Sequence, residues 1–149
     1  MFFYISVVAS AAQAIYALRV LRAHSLQGQQ LWDVARATVI SRLLYASPAW
    51  WGYADRGARQ RLESVIKRMR RQGFVEGQFP TLAELCDNQD SDLFTNVMTN
   101  TSHVLHQLLP PIKNSHYSLR PRVHNRVLPQ ADERLKKTFI VRMLYRDLF

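Results

Sequence analysis

An all-α fold is predicted for this chain: a three-helix bundle, then short helices and a basic carboxyl-terminal tail. Three observations predict it. Apolar residues recur at helical spacing in three successive segments. Glycine or proline punctuates the boundaries between them. Nearly half of the 149 residues are hydrophobic, enough for one packed core.

The first helix is expected over Ala11 to Ala23, with Ala11, Ile15, Leu18 and Leu21 inward and Arg19 and Arg22 on another face. Gly28 closes it. A second helix is expected from Gln29 to Ala46, burying Leu31, Ala35, Val39 and Leu43, with Ile40 and Leu44 widening the stripe. Pro48 should end it, because proline has no amide hydrogen and its ring displaces the preceding turn. Tyr53 to Gly57 reads as a turn.

The third helix gives the cleanest signal. Leu62, Val65, Ile66 and Met69 fall at the i, i+3, i+4 and i+7 positions of one face, while Lys67 and Arg71 point the other way and Gly73 stops the helix. Short helices are expected around Thr81–Cys86, Asp92–Thr99 and Ser102–Leu109, with Ser91 or Asp92 capping the middle one. From Lys113 to Pro129 the composition favours extended chain. Thr138 to Phe149 returns to helix with Ile140, Leu144 and Leu148 aligned.

The formal charge is +9, from twenty Lys and Arg against eleven Asp and Glu. Such an excess points to a polyanionic partner, nucleic acid or an anionic membrane surface. Cys86 is the only cysteine, which excludes an intrachain disulfide and fits a reducing compartment. Residues 1–11 form an atypical apolar start that resembles a secretory signal. It lacks a positively charged beginning and runs unbroken into the first helix, so secretion is not expected. No stable membrane insertion is expected either.

Several motifs imitate chemistry. Tyr53-Ala-Asp-Arg56 resembles the metal-binding hairpin of reverse transcriptases, but Arg56 stands where a second carboxylate is needed. Asp87, Asp90 and Asp92 lack the glycine and final glutamate of a calcium loop and read as an acidic loop feeding a helix start. His103, His106, His116, His124 and Cys86 do not form a zinc pattern. No serine sits in a nucleophile elbow, and no glycine-rich phosphate loop occurs. No metal, cofactor or catalytic residue is therefore assigned.

Two basic features remain. Arg56, Arg59, Arg61, Lys67, Arg68, Arg70 and Arg71 gather in and before the third helix. Arg120, Arg122 and Arg126 interleave with His116, Tyr117 and His124, followed by Arg134, Lys136, Lys137, Arg142 and Arg146. Guanidinium groups suit phosphate because they present paired donors in a rigid fork. Lys67 to Arg71 also reads as a nuclear import patch. Trp50 and Trp51 either stack on bases or pack in the core; beside a proline and between helices, core is favoured.

Taken together, Ile15-Tyr-Ala-Leu-Arg-Val-Leu-Arg-Ala-His-Ser25, Leu31-Trp-Asp-Val-Ala-Arg-Ala-Thr-Val-Ile-Ser-Arg-Leu-Leu-Tyr-Ala-Ser-Pro-Ala-Trp-Trp51 and Arg61-Leu-Glu-Ser-Val-Ile-Lys-Arg-Met-Arg-Arg71 resemble one family. It is the region after the palm in reverse transcriptases of non-LTR (LINE-type) retrotransposons. His103-Val-Leu-His-Gln-Leu-Leu-Pro-Pro111, Tyr117-Ser-Leu-Arg-Pro-Arg-Val-His-Asn-Arg-Val-Leu-Pro129 and Phe139-Ile-Val-Arg-Met-Leu-Tyr-Arg-Asp147 are similar to the carboxyl-terminal stretch of the same polyproteins. The likeness covers about Ala12 to Phe149.

The resemblance implies a thumb-like bundle over residues 12–78, short helices over 79–112 and a basic tail with a terminal helix over 113–149. It also implies the tail end of a longer open reading frame, whose palm and fingers lie upstream and carry the metal-binding aspartates. The implied role is clamping template–primer duplex through phosphate contacts, the partners being RNA or DNA duplex, an RNA–DNA hybrid and the upstream palm. Arg19, Arg22, Lys67, Arg68, Arg70, Arg71, Arg120, Arg122 and Arg126 are the expected phosphate contacts. Trp32, Tyr45, Trp50 and Trp51 are expected to brace a core that includes Leu18, Val39, Leu43, Leu62, Val65, Ile66 and Met69. A nuclear or cytoplasmic setting follows. The competing expectations are an interaction module whose basic face meets an acidic protein, a secreted or membrane-surface helical protein, and a retroelement remnant without function.

Overall fold

The computed structural model describes residues 2–113 and 124–146. The chain is all-α: among the described residues the regular elements are helical, and an isolated antiparallel bridge joins Ile112 to Arg126. No helix among them is long and apolar enough to cross a membrane.

Helix α1 runs over Phe2–Ala23, starting well before the expected Ala11. The apolar start and the first predicted helix are thus one element. Ala11, Ile15 and Leu18 are buried as their spacing requires, whereas Leu21 is exposed. The next position on the inward stripe is Arg22, which places Leu21 round the helix and outside the core. Ser25 and Gly28 take left-handed conformations at the turn that follows.

Helix α2 (Gly28–Ala35), a π-helical turn (Arg36–Ile40) and α3 (Ser41–Leu44) succeed one another without a break. Leu31, Ala35, Val39 and Leu43 are all buried. A strict four-residue repeat drifts around an ideal α-helix of 3.6 residues per turn; the wider i→i+5 turn in the middle corrects the drift. The helix ends at Leu44, where Tyr45 becomes extended at ψ 121 and Ala46 takes a positive φ of 50. Pro48 is not the terminator that its chemistry suggested. It sits in the first turn of α4 (Ser47–Trp50), where the missing amide hydrogen has no intrahelical acceptor to lose.

A 3₁₀ turn (Trp51–Tyr53) leads to α5 (Arg56–Arg71). Asp55, the acid of the reverse-transcriptase-like motif, is the N-cap: its Oδ1 accepts from the Ala58 amide at 2.6 Å. Leu62, Val65, Ile66 and Met69 are buried, joined by Ala58. Gly73, with φ +69, ends the helix, and the Gln72 and Phe74 amides return to the Arg68 and Met69 carbonyls.

The expected short helices around Thr81–Cys86 and Asp92–Thr99 are one helix, α6 (Leu82–Thr99), and the supposed acidic loop lies inside it. Thr81 and Glu84 form the capping box. The Glu84 carboxylate accepts from the Thr81 amide at 2.8 Å and from its hydroxyl at 2.9 Å, holding its pKa below the usual value. Ser91 does not cap; its hydroxyl donates to the Asp87 carbonyl within the helix. The third expected helix, Ser102–Leu109, is a run of turns with one 3₁₀ turn at His106–Leu108. A 3₁₀ turn at Leu135–Lys137 precedes α7 (Phe139–Tyr145). Leu144 is buried and Ile140 packs beside it, while Leu148 lies outside the described residues.

The chain divides into two compact units. The first comprises residues 1–47 and 54–86, in which α1 packs against α2, the π turn, α3 and α5. The second comprises residues 48–53 and 87–149 and is built on Phe94, Met143 and Leu144, with Met98, Leu109, Leu128, Phe139 and Ile140 around them. Trp50 and Trp51 are expected to brace the bundle. They belong to the second unit, where Trp51 is buried and Trp50 stands edge-on to it at 5.8 Å.

Candidate nucleic-acid interface

Helix α5 sorts its charges by face. The inward stripe leaves Arg56, Gln60, Arg61, Ser64, Lys67 and Arg71 exposed, with Arg68 half-buried towards the flank. No acid lies among them. The one carboxylate of the helix, Glu63, turns away and accepts from the Leu82 amide at 2.8 Å, tying the start of α6 to α5.

The other acids of the same unit are engaged likewise. Asp33 accepts from Gln29, Asp55 caps α5, Glu76 pairs with Arg36 at 3.2 Å, and Glu84 closes the capping box. Five carboxylates are thus held by partners inside the unit, and none of those partners is a cation of the outward α5 face.

Two expected phosphate contacts on α1 are brought to this helix. Arg19 donates to the Gln72 side chain at 3.2 Å, and Arg22 donates to the Gln72 carbonyl at 2.6 Å with its guanidinium 4.8 Å from the Phe74 ring centre. Both are exposed. Their partners are neutral, and the carbonyls at the end of α5 favour cations. Trp32, half-buried, donates from its indole nitrogen to the Gly73 carbonyl at 3.2 Å.

Arg70 departs from expectation. It lies on the flank of the inward stripe, its Nη2 donates to the Phe79 carbonyl, and its Nε is buried without a hydrogen-bond partner. It is a structural residue of the turn between α5 and α6. Tyr45 is also corrected: its side chain is 75 % exposed because the helix has already ended and the residue falls off the 35–39–43 stripe.

The basic tail separates into structural and open parts. Arg120 and Arg122 lie outside the described residues, with His116 and Tyr117. Arg126 is half-buried, and its Nη1 donates to the Pro110 carbonyl at 3.0 Å beside the Ile112 bridge. Arg142 points inward to Asp90, and Arg146 reaches the Ser91 hydroxyl at 3.0 Å. Lys136 is exposed and pairs with Glu133.

Two of the histidines considered for zinc lie against backbone carbonyls. His106 Nδ1 lies 2.8 Å from the Val97 carbonyl, and His124 Nε2 lies 2.9 Å from that of Leu144. No group of three or more His, Cys, Asp or Glu side chains suited to a metal occurs among the described residues.

Arg56 and Arg61 were seen in the sequence as part of a charge run without being assigned as contacts. Their place on the outward face follows from α5's own periodicity, Arg61 lying seven residues before Arg68. Gln72 carried no local signal, because its importance comes from residues fifty positions earlier.

No family model, curated protein or solved structure matches the chain. Arg56, Arg61, Lys67, Arg68 and Arg71 lie outside the buried stripe of α5, joined at its end by Arg19 and Arg22.

Proposed function

We propose that this chain is a nucleic-acid-binding helical module that grips the phosphate backbone through the outward face of α5 and the Arg19–Arg22 corner. The observation that carries this is the separation of charge within the first unit. Arg56, Arg61, Lys67, Arg68 and Arg71 stand together without an acid, while the unit's carboxylates are consumed by caps and internal pairs. An anionic membrane is less well served. The apolar face of α5 is already buried, which removes the hydrophobic half of an interfacial helix.

The motif likeness to the thumb region of LINE-type reverse transcriptases supports a duplex, including an RNA–DNA hybrid, as ligand. Contacts to phosphate hold position without reading sequence. The chain is proposed to lack catalysis of its own, with polymerase chemistry belonging to an upstream palm, and to act in the nucleus or cytoplasm.

The test is fluorescence anisotropy with blunt hybrid and DNA duplexes across a salt titration. Each phosphate contact steepens the log–log salt dependence by about 0.9, so four contacts weaken binding roughly a hundredfold between about 50 and 200 mM salt. Combining Arg61→Gln, Lys67→Gln, Arg68→Gln and Arg71→Gln should flatten the slope and leave the helix formed, since Gln is a good helix former. Arg70→Gln should leave the slope intact and lower stability. A folded protein that binds no duplex at low salt refutes the proposal, as does a quadruple variant with the full slope.

A further inference from the structure

The Trp50–Trp51 pair, for which packing is favoured over base stacking, is poorly placed for stacking: Trp51 is buried and Trp50 is half-buried beside it. A different ring meets the requirement. Tyr16 on α1 is 67 % exposed, although the inward face of that helix is complete with Ala11, Ile15 and Leu18. It precedes Arg19 by three residues, which places the two side chains as neighbours about 5–6 Å apart at their Cβ atoms. Val20, four residues on from Tyr16, is also exposed and extends the apolar surface beside the ring.

The bond from Arg19 to Gln72 fixes this edge of α1 beside the last turn of α5. An open aromatic face thus adjoins a cation that is itself anchored at the end of the cationic helix. Single-stranded nucleic acid is held by that combination, with cations along the backbone and a π-face for each base.

We propose that Tyr16 is a stacking platform for an unpaired base, so that the surface favours a duplex bearing a single-stranded extension over a blunt duplex. The inference rests on the phosphate-binding role of α5 and adds a ligand class to it. A base paired inside a duplex is stacked on both faces, and the outer face of a blunt end belongs to a base held in its pair, which cannot turn onto Tyr16. The first unpaired base of an extension has a free face. Its backbone continues from the duplex phosphates held by α5 onto Arg19.

The experiment compares a blunt duplex with one carrying a short single-stranded extension, on wild type, Tyr16→Ala and Tyr16→Phe, with circular dichroism confirming that each remains helical. Wild type should bind the extended duplex about fivefold to tenfold more tightly than the blunt one. Tyr16→Ala should abolish that preference without altering blunt-duplex affinity, and Tyr16→Phe should retain it. A 2-aminopurine placed as the first unpaired base should be quenched on binding to wild type and to Tyr16→Phe, and not to Tyr16→Ala. Equal loss for both ligands on Tyr16→Ala, or an unchanged preference, overturns the stacking role while leaving phosphate binding standing. If wild type binds neither ligand at low salt, the phosphate-binding role falls and the stacking role with it.

Discussion

Replacing Ile66 by alanine tests whether the cationic face is held by the stripe beneath it. Ile66 has no solvent exposure and lies centrally in the buried face of α5, between Leu62 and Met69. The substitution removes three carbon atoms. At roughly 0.8 kcal/mol per buried methylene, the transfer contribution is about 2–2.5 kcal/mol. The cavity left in a packed interior raises the expected loss to about 3–4 kcal/mol, inside the range seen for such truncations. That is a large share of the total stability of a typical domain, about 5–15 kcal/mol. Urea unfolding followed by far-ultraviolet circular dichroism would measure it, with Ser64→Ala on the exposed side of the same helix as control. Ser64→Ala should move the midpoint by no more than about 0.5 kcal/mol equivalent. If Ile66→Ala is as mild as the control, the stripe is not load-sharing with α1 and the assignment of an outward cationic face is wrong.

Two further outcomes concern the second unit. Asp90 is buried and pairs with Arg142 at 2.6 Å, yet its Oδ1 has no hydrogen-bond partner, and burial raises its pKa more than Arg142 lowers it. Its contribution to stability is therefore full below the unfolded-state pKa and is lost as pH rises through the raised folded value. The stability difference between wild type and Asp90→Asn should decline across the window above the usual carboxylate range, and a difference that grows with pH there would reverse the sign of the reasoning. Gly52 packs so closely on the Lys137 carbonyl and the Arg142 guanidinium that a Cβ would collide with both. Gly52→Ala should lower stability by about 1–3 kcal/mol, read by thermal unfolding, and an unchanged midpoint would show that the contact yields freely.

The parts of the fold legible in sequence are those decided within one helix. Leu62, Val65, Ile66 and Met69 declared α5, and Leu31, Ala35, Val39 and Leu43 declared the helix before it, because each set alone specifies a buried face. Where a distant residue completes the picture, local inspection misled. In α6 the inward positions are Leu82, Cys86, Asp90, Phe94 and Val97, so a charged residue occupies the middle of an apolar stripe. Together with Asp87, Asn88, Ser91 and Asp92, residues of modest helix propensity, it reads as a loop. The compensating cation, Arg142, lies 52 residues away. Arg70 misled for the same reason: its acceptor is a backbone carbonyl across a turn, and no side-chain pattern marks a carbonyl.

The division of arginines between bonded and open positions follows from what each finds within reach. A guanidinium carries five donors on a long stem, so an arginine near a helix end or a turn satisfies carbonyls that the helices leave unpaired, as Arg70 does for Phe79 and Arg126 for Pro110. Such arginines are partly desolvated and already engaged with the backbone. Cations along the exposed part of a helix meet no free carbonyl, because the helix has used them all. Arg61 and Lys67 stand in that position, and their charge is presented to whatever approaches from solvent. Arg22 lies between the two classes, bonded to one carbonyl yet exposed, and is therefore suited to both roles at the corner where α1 meets the end of α5. Net charge alone would have counted all of these alike. The place of each along its helix separates them.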